Sequence, residues 1–186
     1  MTVESSLAEA TEKMHKAIAH LKEDLATVRT GRAAPALLNR VTVEYYGTLT
    51  PLNQLASISV PEPRLLMIAP FDKTSISTIE KAIQSSDLGV TPSNDGNVIR
   101  LAFPPLTEER RKELVKTVHH RAEEGRVAVR NLRRHSKEEL EKLERESAIS
   151  EDDLKRAEKE LQKLTDQSVA EIDEIQRHKE QELMEV

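Results

Sequence analysis

The sequence contains no cysteine and no tryptophan, and aromatic residues make up only 2% of it. The absence of cysteine excludes disulfides, thiolate catalysis and cysteine-ligated zinc, and it fits the reducing cytosol. The scarcity of aromatic residues excludes a surface on which several bases could stack. No uninterrupted apolar run approaches the roughly 18 residues of a membrane span, and the first residues lack the pattern of a signal peptide. We therefore expect a soluble, cytoplasmic protein with no membrane partner.

Motifs of catalysis and of nucleotide binding are also missing. The sequence has no G-x-G-x-x-G, no phosphate-binding loop and no H-E-x-x-H, and its six histidines are scattered. Acidic pairs such as Glu138-Glu139 lie in a charged helical pattern, where solvation explains them. We therefore predict that the protein is not an enzyme and that it uses no cofactor and no metal.

Helical periodicity is present at both ends of the chain. Apolar residues recur at three- and four-residue steps over 7–28, 114–143 and 154–183, which predicts three long amphipathic helices. Thr107 can cap the second helix, and Gly31 is placed to end the first. Because such helices cannot bury their apolar stripes alone, we expect a long antiparallel three-helix bundle.

Two sequence signals predict where the first and third helices begin. In a capping box, a hydroxyl and a carboxylate three residues apart satisfy amides of the first helical turn. Ser6-x-x-Glu9 has this pattern before the first helix, and Ser150-x-x-Asp153 has it before the third.

The pattern between the first two helices is typical of strands. Short segments rich in β-branched residues, bounded by Gly, Pro and Asn, occur at 41–47, 55–60, 65–69 and 97–103. Ile76, Ile79 and Ile83 predict one helix among them, and N-D-G-N at 94–97 predicts a turn. The fold class is therefore α+β, with a small β-rich domain inserted between helix 1 and helix 2.

The predicted domain limits follow from these patterns. Residues 1–30 and 106–186 form the bundle, and residues 31–105 form the inserted domain. Two neighbouring connections, one with Gly and one with Pro-Pro, predict a hinge between the domains. Its predicted residues are Thr30, Gly31, Arg32, Phe103, Pro104, Pro105 and Leu106.

Charge is distributed unevenly along the chain. The formal net charge is -5, yet residues 105–134 hold nine basic and five acidic residues, a net charge of +4. Within this block the stretch R-V-A-V-R-N-L-R-R carries Arg126, Arg130, Arg133 and Arg134. On a helical wheel at roughly 100° per residue these arginines share a sector of about 100°. That sector points largely away from the predicted core positions Val129 and Leu132.

Two interpretations of this stripe are open. A solvated helix face with ion pairs between neighbouring turns would explain it. However, Arg133 and Arg134 have no acid three or four residues ahead, and Arg126 and Arg130 repel each other mildly. A polyanion would offset that repulsion, since guanidinium groups suit phosphate oxygens. RNA is the natural candidate, contacted through its backbone and shape because stacking aromatics are absent.

A second basic group lies at the predicted hinge. It consists of Arg29, Arg32, Arg110, Arg111 and Lys112. The end of helix 1 lies beside the start of helix 2 in an antiparallel bundle, so we expect these residues to converge. Solvation of the helix ends, with Glu108 and Glu109 as partners, explains them equally well.

Seven blocks, in this order and spacing, make the sequence resemble the ribosome recycling factor family. They are R-T-G-R (29–32), V-E-Y-Y-G (43–47), P-L-N-Q-L-A-S (51–57), S-D-L-G (86–89), P-P-L-T-E-E-R-R-K-E-L (104–114), R-V-A-V-R-N-L-R-R (126–134) and I-S-E-D-D (149–153). The resemblance covers essentially the whole chain, and the family's two-domain architecture matches the inserted domain.

The resemblance implies a function in translation. It implies binding of the bundle to the large ribosomal subunit and its 23S rRNA, across the A and P sites, and an outline similar to that of a tRNA. With elongation factor G and GTP, such a factor splits the post-termination ribosome into subunits and releases mRNA and tRNA. The family's RNA-contacting arginines correspond to Arg29, Arg32, Arg110, Arg130, Arg133 and Arg134. The helical-wheel argument alone adds Arg126 and Arg111, and we expect a monomer.

A coiled-coil adaptor or co-chaperone without RNA binding is the alternative. Its helices would serve as a spacer and its inserted domain would bind protein. Such a scaffold does not require an unpaired arginine stripe, and any affinity for ribosomes would be absent or insensitive to salt.

Overall fold

The computed structural model describes residues 1–185, which form two compact units. The helical unit consists of Met1–Leu25 and Val115–Gln181, and the sheet unit consists of Ala26–Leu114 with the described residues after Gln181. These units divide the chain after Leu25 and Leu114, whereas the predicted domains divide it after residues 30 and 105. Val186, which the predicted bundle segment 106–186 includes, lies outside the described residues.

The regular elements alternate between long helices and short strands. The α-helices are α1 (Val3–Ala26), α2 (Leu52–Leu55), α3 (Ile76–Gln84), α4 (Glu108–Arg145) and α5 (Glu151–Met184). The strands are β1 (Thr42–Tyr45), β2 (Thr48–Pro51), β3 (Ala56–Glu62), β4 (Leu65–Pro70), β5 (Ser93–Asn94) and β6 (Ile99–Ala102). This element order confirms the predicted α+β class, with a small β-rich region inserted between the first and second long helices.

The helical unit is an antiparallel bundle of α1, α4 and α5. Near the start of α1, the Ser6 hydroxyl donates to Glu139 at 3.4 Å, and near its end the Asp24 carbonyl accepts from Arg121 at 3.0 Å. The helices approach closely at Gly125, where an added Cβ would lie 3.4 Å from the Leu21 side chain. The buried stripes include Met14, Ile18, Leu21, Val118, Ala122, Val129, Leu140, Leu161 and Ile172. Burial of these stripes is the main stabilising contribution to the bundle.

Helix starts were predicted correctly for α4 and α5 and wrongly for α1. The amide of Arg110 donates to the Thr107 hydroxyl at 3.1 Å, and Ser150 and Asp153 exchange hydrogen bonds of 3.1 and 3.2 Å. The reciprocal bonds at α1 join Thr2 and Ser5 instead, at 2.9 and 3.1 Å. Helix α1 therefore begins at Val3, and the predicted cap residue Ser6 is a buried residue within the helix.

The end of α1 also differs from the prediction. The helix ends at Ala26, and Gly31 is not among the residues with positive φ, so it is not a left-handed C-cap. Val28 is buried, and Arg29 packs over Phe103 within the sheet unit. Tertiary contacts therefore fix this segment before the chain reaches the glycine.

The sheet unit contains a four-stranded antiparallel sheet in the order β3-β4-β6-β5, and a separate hairpin of β1 and β2. Alternate residues of the central strands are buried, such as Leu66 and Ile68 on β4, and they share one core with Ile79 and Ile83 of α3. This is the pattern of an antiparallel sheet with one face covered. The predicted turn at 94–97 is confirmed, since the Asp95 carboxylate accepts two backbone amides at 2.9 Å.

Strands β2 and β5 were not predicted. The sequence of β2, T-L-T-P, ends in proline, and β5 contains only Ser93 and Asn94. Neither has the run of β-branched residues on which the prediction of strands depends. Within residues 1–185 no helix has both the length and the hydrophobicity that crossing a membrane requires.

Candidate nucleic-acid interface

The α4 stripe consists of Arg126, Arg130, Arg133 and Arg134, all within the helical unit. Arg126 is the first of the four, and its side chain is only 12% exposed. Its Nε donates to Asp173 of α5 at 2.8 Å, one terminal nitrogen donates to Glu123 at 3.2 Å, and the other contacts Gln176. Charge-assisted bonds of this kind are stronger than neutral ones. Arg126 therefore ties α4 to α5.

The partners of Arg126 on α5 were missed from the sequence. The helical wheel compares residues on one helix, whereas Asp173 and Gln176 are supplied by another. The break at residues 147–150 was a usable signal, because an antiparallel α5 returning from it runs alongside α4 and brings residues near 170 opposite residue 126. Whether Arg126 also contacts RNA stays a prediction.

The remaining three arginines of the α4 stripe are more weakly held. Arg130 is 53% exposed and lies 3.4 Å from Glu123, and half-buried Arg133 donates to Gln162 of α5 at 3.1 Å. Arg134 is exposed, and no side-chain hydrogen bond or ion pair joins it to another of residues 1–185. Exposed ion pairs contribute little to stability. These side chains can therefore exchange their present contacts for phosphate oxygens at small cost.

The second arginine group lies in the sheet unit. The Arg29 guanidinium carbon is 5.6 Å from the centre of the Phe103 ring, and one terminal nitrogen donates to the Pro104 carbonyl at 2.5 Å. Burial, followed by repulsion from Arg110, lowers the pKa of Arg29. The structure thus brings Arg29 and Arg110 close together, as expected from the sequence.

Two guanidinium nitrogens in this group are buried without a partner. They are the Nε atoms of Arg29 and Arg111, which find no hydrogen-bond acceptor in the described part of the chain. Buried polar atoms are usually satisfied. Arg32, by contrast, is 73% exposed and lies 3.9 Å from Glu185, while Arg110 bonds Glu113 at 2.8 Å. The group combines like charges with unsatisfied donors, an environment that an anion would stabilise.

All seven predicted hinge residues lie in the sheet unit. Phe103 and Leu106 are buried, and the Phe103 amide donates to the Arg64 carbonyl at 2.8 Å. An added Cβ on Gly31 would meet only a backbone oxygen at 4.0 Å, so no close packing requires glycine there. The hinge stays a prediction; Arg29, which precedes its first segment, contacts Phe103 and Pro104 of its second segment.

The comparisons with known proteins agree with one another. The family model described as ribosome recycling factor matches residues 21–184. A ribosome-recycling factor from Acidothermus cellulolyticus is 58% identical over 184 residues, covering 99% of this chain and all of that protein. The chain belongs to the ribosome recycling factor family. The resemblance seen in the sequence is thereby confirmed, and the family's role is ribosome recycling in translation.

Two solved structures of the family are similar to this fold. A solution structure of the ribosome recycling factor has a TM-score of 0.82 and 47% identity, covering 100% of this chain and 99% of that one. A second structure, with a TM-score of 0.71 and 49% identity over both full chains, describes the T. thermophilus ribosome recycling factor and the E. coli elongation factor G bound to the E. coli post-termination complex. The relatives bear the name of a translation factor, not of an enzyme.

Metal binding is not supported by the arrangement of side chains. Among residues 1–185 no three His, Asp or Glu side chains are grouped so that they could hold a metal ion. The adjacent residues His119 and His120 contact different partners, Gln176 and Glu124.

Proposed function

We propose that this chain recycles ribosomes by binding the large ribosomal subunit and splitting the post-termination complex into subunits, with elongation factor G and GTP, so that mRNA and tRNA are released. The observation that carries the proposal is the full-length similarity to ribosome recycling factors, one of them described with elongation factor G on a post-termination complex. The chain acts as a monomer in the cytoplasm.

Contact with 23S rRNA is assigned to seven arginines in two groups. On α4 these are Arg130, Arg133 and Arg134, whose weak contacts leave their guanidinium groups available for phosphate oxygens. In the sheet unit, Arg29, Arg32, Arg110 and Arg111 supply a second set of contacts. Arg126 receives a different role, because its bonds to α5 support α4 as a stiff platform for the other three.

Energy for splitting comes from the partner in this proposal. The sequence contains no nucleotide-binding motif, so GTP hydrolysis is assigned to elongation factor G. The chain contributes a long helical body held on RNA, and an inserted domain that is pushed about the connections at Gly31 and Pro104-Pro105. A disulfide that clamps the inserted domain to the bundle is then expected to leave binding intact and to stop splitting.

The decisive experiment measures subunit splitting and large-subunit binding with purified ribosomes, elongation factor G and GTP. The variant Arg130→Ala/Arg133→Ala/Arg134→Ala is compared with Lys13→Ala/Lys16→Ala/Lys142→Ala, which removes the same charge from exposed lysines of the same unit. We expect the arginine variant to bind about 10–100-fold more weakly and to reduce the salt slope by about 2–3.

The outcomes separate the candidate functions. Equal binding of the two variants across salt concentrations would remove the RNA contact from the α4 stripe. Wild-type protein that binds ribosomes independently of salt, or not at all, and does not split them would favour the adaptor alternative.

A further inference from the structure

A shallow groove between α4 and α5 continues beyond the α4 stripe. It has a volume of about 450 Å³, and Arg133 of the α4 stripe is one of the residues that line it. The charged residues that line it are Arg133, Lys137, Lys155, Lys159 and Glu158. Four cations therefore face one carboxylate, although residues 135–186 as a whole hold 9 basic and 17 acidic residues.

The lysines of this groove are only loosely paired. Lys137 lies 3.7 Å from both Glu141 and Glu158, and Lys155 is 66% exposed beside Glu151. Lys159 is exposed, and no ion pair joins it to any of residues 1–185. Since exposed pairs of this kind contribute little to stability, a phosphate can displace these carboxylates from the lysines at small cost.

The positive charge extends in one direction only. An adjoining depression of about 390 Å³ is lined by Arg130 and Arg133 but also by Asp166 and Asp173, so its charges balance. Gln162 borders both depressions, where it accepts from Arg133 and donates to Asp166 at 2.8 Å. A strand of phosphates leaving the α4 stripe is therefore attracted toward Lys155 and Lys159 and not toward Asp166 and Asp173.

We infer that Lys155 and Lys159 of α5, with Lys137 of α4, extend the RNA contact of the α4 stripe by binding the phosphate backbone of the same RNA. The inference rests on the proposed function and adds residues on a second helix. From Arg130 to Lys137 the surface runs about 10 Å along α4. All four aromatic residues, at positions 45, 46, 71 and 103, lie in the sheet unit, so the groove offers charge without base stacking. Lysine acts on phosphate as a point charge, and the contact is therefore independent of RNA sequence.

The test uses the full chain and purified large ribosomal subunits over a range of salt concentrations. Lys155→Ala/Lys159→Ala is compared with Lys16→Ala/Lys142→Ala, which also removes two exposed lysines, each paired with a glutamate on its own helix as Lys155 is. We expect the groove variant to bind about 5–20-fold more weakly at moderate salt and to reduce the salt slope by about 1–2. We expect the control to match the wild type.

A second measurement identifies the bound molecule. Because the chain has no cysteine, Lys159→Cys can carry a single photo-crosslinker, and we expect the crosslink to form with ribosomal RNA. A crosslink to ribosomal protein alone overturns the inference. So does a groove variant that binds like the control while the Arg130/Arg133/Arg134 variant is weakened, and that result leaves the proposed function standing. Failure of the wild type to bind large subunits removes both.

Discussion

Arg130 on α4 and Arg29 in the sheet unit carry the same charge in different surroundings. Arg130 exposes 53% of its side chain and has one distant carboxylate partner. Arg29 lies against the Phe103 ring, bonds the Pro104 carbonyl and buries an unpartnered Nε. The Arg130 side chain is therefore largely exposed, whereas the Arg29 side chain is packed against other residues of the protein.

Because their surroundings differ, substitutions of Arg130 and Arg29 should affect different quantities, RNA affinity for Arg130 and folding stability for Arg29. Removing Arg130 takes away a charge that the fold does not use, so under the proposed function we expect the change to affect RNA binding and its salt dependence. Removing Arg29 takes away packing as well as charge. Burial has also removed part of the hydration of Arg29, which lowers its pKa, so an arriving phosphate has less water to displace there.

Substitution of Arg126 should have the largest effect on stability. It tests whether the contribution of an arginine to stability depends on its position in the α4 stripe or on the residues that it contacts. We expect Arg126→Ala to lower the free energy of unfolding by about 2 kcal/mol, since it breaks charge-assisted bonds to α5 and removes the packing of a buried aliphatic stem. Arg130→Ala, the matched control from the same stripe, should change it by less than about 0.5 kcal/mol. Urea unfolding of the full chain measures both.

A double-mutant cycle identifies the cause. Combining Arg126→Ala with Asp173→Ala should give a coupling energy of about 1 kcal/mol. If the two substitutions are simply additive, the contact with Asp173 does not hold α4 to α5. In that case Arg126, like Arg130, does not stabilise the bundle through a carboxylate of α5.

Arg29 should give the next largest effect. We expect Arg29→Ala to lower the free energy of unfolding by about 1–2 kcal/mol, because it loses the contact with the Phe103 ring and the bond to the Pro104 carbonyl. The free energy of unfolding of Arg29→Lys should lie between those of Arg29→Ala and the wild type, since an ammonium keeps the charge but not the planar stacking. Urea unfolding of the full chain again supplies the measurement.

Arg32→Ala is the control for this comparison, because Arg32 is exposed and its only ion pair among residues 1–185 is 3.9 Å long. We expect a change of less than about 0.5 kcal/mol. If Arg29→Ala and Arg32→Ala are equally mild, burial of Arg29 does not contribute to stability, and the distinction between the two regions fails.

The long helices could be predicted because their apolar periodicity is repeated over many turns. The cap at Ser150 was equally local and was predicted correctly. The start of α1 was not, because Thr2 and Ser5 compete with Ser6 and Glu9 over nearly the same residues, and tertiary burial of Ser6 decides between them. Local sequence cannot resolve a choice that depends on another helix.

The candidate site could also be predicted only where its geometry depends on a single helix. The wheel placed Arg130, Arg133 and Arg134 on one side of α4 correctly, since that depends on helical geometry alone. It did not reveal that Arg126 bonds Asp173, or that Lys159 shares a groove with Arg133. Both facts depend on the register between α4 and α5, which a single-helix pattern does not contain.

Arg100 represents a third environment, that of an exposed arginine with a strong local partner. Disrupting its ion pair should have the smallest effect on stability of the three. Its guanidinium bonds the Asp95 carboxylate at 2.6 Å. The amide of Val98, the Arg100 side chain and the amide of Asn97 together hold the pKa of Asp95 below its ordinary value of 3.8. The stability that this ion pair contributes should therefore depend on acidic pH, unlike the contributions of Arg130 and Arg29.

The sign follows from the lowered pKa. The stabilising contribution of the Asp95 carboxylate is present above pH 3.8 and is lost as the pH falls through the lower pKa of the folded state. We expect Asp95→Asn to lower the Tm by about 2 °C near neutral pH, and the gap from the wild type to close in acid. Asp87→Asn, at an exposed aspartate of the same unit, should show no such convergence. A gap that stays constant with pH would mean that turn geometry, and not the charge paired with Arg100, stabilises this loop.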